Sequence, residues 1–144
     1  MPEHLVLPVY IEELAQRIKV NDIEYVPPLA IIKGMVYVIG AGADIPHVDI
    51  YKAILKKIDI NIAYSIIEDA FRLAEEMHYP NALLYLNAAL EMDNENLDAL
   101  YNLGRVFDVY SEAESRPELK KLSKYCFEKC VEKDSTFALG HYHL

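Results

Sequence analysis

The sequence predicts an all-α protein, on three observations. Apolar residues recur at helical spacing along most of the chain, with no sustained strand-like alternation. Prolines stand near the starts of these patterns and not inside them. Two stretches offset by about 34 residues repeat one apolar pattern, the period of stacked helical pairs. A chain of 144 residues with 53% hydrophobic side chains is long and apolar enough to bury a core.

Taken in order, Ile11, Leu14, Ala15 and Ile18 mark a first helix behind Pro8, and the loop "NDIEYVPP" follows. Pro28 opens a second helix carrying Leu29, Ile32, Val36 and Ile39, although "VYVI" favours strand locally and Gly34 weakens the helix. Ile50, Ile54, Leu55 and Ile58 mark a third. A fourth starts at Asn61 and places Ala63, Ile66, Ala70, Leu73, Ala74 and Met77 on one face. Pro80 opens a fifth, with Leu83, Leu86, Ala89 and Leu90. A sixth holds Leu97, Leu100, Leu103 and Phe107. The seventh, after Pro117, holds Leu119, Leu122, Cys126, Phe127 and Cys130, and an eighth begins near Thr136.

The segment "MVYVIGAGAD" raises a nucleotide-binding reading, because an apolar run meets a glycine turn. That fingerprint needs a third small residue where a helix packs on its strand. Ile45 stands there instead, and Pro46 follows at once. Asp69, at a suitable distance for a ribose contact, falls within a helical pattern. Gly40 and Gly42 therefore read as the end of the helix from Leu29, where glycine adopts the left-handed conformation.

Charge is unevenly spread. Residues 61–115 carry only Arg72 and Arg105 against 11 acidic side chains, out of a net −9 for the chain. Such a section repels nucleic acid, whose phosphates need a basic surface. It suits a basic partner segment. No apolar run approaches the length that crosses a bilayer, and "MPEHLVLPVY" lacks the basic start of a secretory signal. With two cysteines and no disulfide framework, the composition fits a cytoplasmic protein.

The repeat pairs residues 63–96 with residues 97–137. Ala63 aligns with Leu97, Ile66 with Leu100, Ala70 with Gly104 and Leu73 with Phe107. Leu86, Ala89 and Asp93 align with Phe127, Cys130 and Asp134 once seven extra residues are allowed near residues 109–116. This pattern resembles the tetratricopeptide repeat family over about residues 62–144, through Leu100, Leu103, Gly104 and Phe107 in a first helix and Ala82, Leu86 and Ala89 in a second. Residues 1–60 would then be an N-terminal helical segment packing on or capping repeats in residues 61–144, with a partial copy from residue 138. A chain stopping at Leu144 leaves a half-repeat exposed, which implies a longer protein or burial of that end in a homo-oligomer.

The resemblance implies a TPR-like superhelix whose first helices line a concave, protein-binding groove. Carried over, the groove residues are Tyr64, Ile67, Glu68 and Phe71, then Asp98, Tyr101, Asn102, Arg105 and Asp108, with Leu139, Tyr142 and His143 from the partial copy. Ile67 and Phe71 replace the basic and amide groups of the family's carboxylate clamp, so a basic or amphipathic helix is the expected partner. No catalytic motif is present, no cofactor is implied, and a non-enzymatic adaptor is expected. The alternative is a zinc or redox module on Cys126, Cys130, His141 and His143. The two histidines, two apart on a helix, would point about 200° away from each other, and Cys130 aligns with the small packing residue Ala89.

Overall fold

The computed structural model describes residues 28–42 and 47–135; the helices expected around Ile11–Ile18 and from Thr136 lie outside them. Six α-helices follow: α1 (Pro28–Ala41), α2 (Val48–Ile58), α3 (Ile62–Glu75), α4 (Tyr79–Met92), α5 (Leu97–Ala113) and α6 (Glu118–Lys133). No strand occurs among the described residues, and no helix there is long and apolar enough to cross a membrane. The strand-favouring "VYVI" is helical. Met35, Val36 and Ile39 lie on one face of α1 and are buried, so packing overrides local propensity.

Three helices share one pattern, which the sequence comparison reached in α4 and α6 but not in α2. Tyr51 and Leu55 of α2, Tyr85 and Ala89 of α4, and Cys126 and Cys130 of α6 are all buried. Each pair is followed four residues later by an aspartate that ends the helix: Asp59, Asp93 and Asp134. Those aspartates adopt nearly the same extended conformation, with φ −153, −149 and −147°. Their N–H groups donate to the carbonyls of Leu55, Ala89 and Cys130 at 3.1, 2.9 and 3.0 Å. The side chains of Asp59 and Asp93 also accept from the N–H two residues on, at 2.9 and 3.2 Å, forming matched Asx turns. The repeated stop signal thus begins before residue 61.

The turns inside the pairs α3–α4 and α5–α6 match as well. His78 N–H donates to Leu73 O and Arg116 N–H to Ser111 O, both at 2.8 Å. These are Schellman bonds, closed by left-handed residues Met77 (φ 62°) and Ser115 (φ 51°) in place of the usual glycine. Met77 and Ser115 are 38 positions apart, not 34. Four of the seven extra residues therefore lengthen α5, and three lie at the start of α6; of the longer turn or extended helix that residues 109–116 suit, residues 109–113 take the helix. Four residues and three are each close to one helical turn, so each helix gains about a turn beside the connection that joins them.

α4 is the centre of the fold, packed by α1, α3 and α5. A Cβ on Gly40 would collide with the Leu84 carbonyl, so α1 crosses α4 with its backbone almost in contact. The sequence places Gly40 past the helix end; it lies inside α1, and Gly42 (φ 66°) is the left-handed residue behind it. Tyr37 meets Tyr85 edge-on at 5.4 Å, and Lys52 of α2 reaches Glu91 at 3.1 Å. On the other side of α4, Tyr79 stacks on Tyr110 of α5 at 5.3 Å.

α5 and α6 form an antiparallel pair. A Cβ on Gly104 would lie 2.6 Å from the Phe127 ring, so glycine makes room for that ring. Ser123 Oγ donates to the Gly104 carbonyl at 2.8 Å, and Lys120 bridges Asp108 and Glu112 nearer the turn.

Candidate functional site

Since each connection reverses the chain, α3 and α5 run in the same direction and flank a recess floored by α4. Its volume is about 190 Å³. Buried Ala70, Tyr79, Leu86 and Val106 make its base, while Ile67, Phe71, Ala74, Asn102 and Val109 form the walls. Glu75 and Arg105 are the charged residues that line it. Phe71 and Val109 remain 48% and 47% exposed, a large share for apolar side chains on facing helices.

The recess draws on two rows of residues with the same register. Tyr64, Glu68, Phe71 and Glu75 follow one another along α3 at steps of 4, 3 and 4; Asp98, Asn102, Arg105 and Val109 do so along α5. That spacing keeps side chains along one seam, as in helices that pack lengthwise. Among the residues expected from sequence, Ile67, Phe71, Asn102 and Arg105 come together at the recess. Tyr64, Glu68 and Asp98 lie exposed on the same two rows, outside its lining.

Tyr101 and Asp108 turn elsewhere. Tyr101 packs its ring against Phe127 at 5.8 Å and carries the Arg105 guanidinium 5.9 Å above it, while Asp108 pairs with Lys120 of α6. Leu139, Tyr142 and His143 lie outside the described residues. Glu75 and Val109 complete the rim and were not expected. Continuing each row by one further step of four would have found both.

Charge at the rim is mostly uncompensated. Asp69 pairs with Arg72, and Lys120 holds Asp108 and Glu112. Glu68, Glu75 and Asp98 have no ion pair among the described residues. Asn102 donates one amide hydrogen to the Asp98 carbonyl at 2.8 Å and lines the recess. An apolar hollow lined by Glu75 and Arg105, with unpaired Glu68 and Asp98 farther along the same rows, can hold an apolar side chain that has a cation beside it.

The two cysteines sit away from this surface, in the core between α5 and α6. Burial, reinforced by Cys130, pushes the Cys126 thiol up to about 12. Burial, with the Asp98 charge behind it, also raises Cys130. Both shifts favour the protonated thiol, whereas metal binding and nucleophilic attack need thiolate. His141 and His143, the other residues of the zinc alternative, lie outside the described residues. Cys130 packs in full burial beside the Leu97 carbonyl, 3.9 Å from its sulfur.

Compared with known proteins, the chain matches no family model, no curated protein and no solved structure.

Proposed function

We propose that this protein is a non-enzymatic, cytoplasmic adaptor of the tetratricopeptide-repeat kind. It binds a basic, amphipathic segment of a partner protein in the groove between α3 and α5. One observation carries the reading: the recess leaves Phe71 and Val109 half-exposed between Glu75 and Arg105, while Glu68 and Asp98, on the same two helix rows outside its lining, have no ion pair among the described residues. The repeated aspartate stops and Schellman turns support the repeat assignment, because they recur with the helices rather than with composition. Uncompensated carboxylates disfavour nucleic acid at the same surface.

Peptide display against the folded chain tests this. Enriched peptides should carry an apolar residue flanked by lysine or arginine. Their affinity should fall about tenfold, or about 1.4 kcal/mol, for Phe71→Ser and again for charge reversal at Asp98. Charge reversal at Asp108 should matter less, because Asp108 already holds Lys120. Selected peptides indifferent to Phe71 and Asp98 would remove the groove as the working surface.

A further inference from the structure

We propose that the groove receives α6 of a second copy of this chain, so that the protein associates with itself head to tail. The proposal rests on reading the groove as a docking surface and names one occupant for it. The outward face of α6 has the properties the groove calls for. Leu122 and Tyr125 are 45% and 56% exposed, although each sits on a helix whose other face is fully packed against α5. They lie on the row Glu118, Leu122, Tyr125, Lys129, again at steps of 4, 3 and 4, so one helical seam meets a groove built from two seams of equal spacing.

Charge agrees in sign and in place. α6 carries five lysines against three glutamates, whereas α3 and α5 together carry six acidic residues against two arginines. Beside Leu122, Lys121 has no ion pair among the described residues, and Lys124 has only a distant one to Glu128 at 3.9 Å. Lys129 covers the Tyr125 ring at 5.4 Å but is already held by Glu132 at 2.9 Å, so the charge complementarity rests on Lys121 and Lys124. Docking Leu122 and Tyr125 against Phe71 and Val109 places Lys121 and Lys124 within reach of the free carboxylates.

Groove and seam are different surfaces of one molecule. The contact is therefore heterologous: every copy offers one of each, and growth continues unless a ring closes. A shared face would instead stop at a two-fold dimer.

Sedimentation velocity on the full chain tests the idea, with Val109→Lys as the groove variant and Tyr125→Glu as the seam variant. Phe71→Ser and Leu122→Glu form a second pair, and circular dichroism matching wild type qualifies each variant. Wild type should gain mass with concentration, and its self-affinity should weaken at least about tenfold from low to high salt. Each variant alone should remain a monomer. Their equal mixture should form a species of two chains and nothing larger, because only one intact groove then meets one intact seam. A monomeric wild type, assembly that survives both substitutions, or a mixture that fails to pair would each overturn the proposal. A monomeric wild type whose groove still binds the display-selected peptides would overturn self-association alone; loss of both would remove the docking reading as well.

Discussion

α4 and α6 occupy equivalent places in successive pairs, yet their surroundings have made them opposites. α4 carries a single charged residue, Glu91, and buries apolar side chains around most of its circumference against α1, α3 and α5. α6 carries eight charged residues in sixteen and packs one face against α5. Both nonetheless keep the same two buried positions and the same aspartate stop. The unit specifies its own turn and inner face, and the neighbours on each side dictate the rest. An internal helix must be apolar nearly all round, whereas a helix that meets only one other described helix stays amphipathic.

That contrast can be broken at its two closest helix crossings. Gly40→Ala should be the most damaging change, at about 3 kcal/mol, because the added methyl meets the Leu84 backbone and the crossing of α1 on α4 must widen. Gly104→Ala should cost about 2 kcal/mol, since its methyl meets the edge of the Phe127 ring. Adding Phe127→Leu should recover part of the second loss and none of the first. Denaturant titration of the four variants decides this, and equal costs at the two glycines would deny that backbone contact sets α4 apart.

Alkaline pH sharpens the comparison from the other side. α6 buries a thiol where α4 buries Tyr85. The Cys126 thiol is raised from an ordinary value of 9.0 to about 12 in the folded protein. Above pH 9 the unfolded chain gives up that proton while the folded chain keeps it, so stability falls as pH rises from 9 towards 12. The loss should reach about 1.4 kcal/mol one pH unit above 9, and Cys126→Ala should flatten the slope. A slope unchanged by that substitution would assign it elsewhere.

The smallest expected effect concerns the matched turns. Met77 holds a left-handed conformation with its side chain exposed, so Met77→Gly should raise stability by about 1 kcal/mol. Ser115→Gly should do the same in the other pair. Thermal melts check both, and a gain in one turn alone would show that the two are not equivalent.

The helices were legible because apolar spacing and proline placement are local signals: Pro80 falls in the first turn of α4, while the cap of α5, where Asn96 accepts from Ala99 N–H at 3.0 Å, was not read beforehand. Gly104 stood out in the sequence as one of the residues that carry the repeat resemblance, and the ring it makes room for, Phe127, stands on the paired helix. Gly40 was read as a chain terminator because its partner, Leu84, is 44 positions away and the contact is with backbone, which leaves no trace in side-chain chemistry. The repeat of Tyr51, Leu55 and Asp59 was hidden since Leu55 and Ala89 differ greatly in size, while the shared feature is a backbone bond at the aspartate. Of the groove residues that the resemblance implied, Ile67, Phe71, Asn102 and Arg105 line the recess. The alignment missed Val109 because the extra residues appeared to begin there.

The aspartate stops also say how such a chain can change length. A stretch bounded on both sides by the same backbone conformation, as between Asp59 and Asp93, presents matching ends. Copying it in tandem would join one end to its equivalent, with no new loop to invent and no helix phase to correct. Change by whole units is then mechanically simple, whereas a shorter insertion must lengthen both helices of a pair together, as the four residues added to α5 and the three added to α6 do, each about one helical turn.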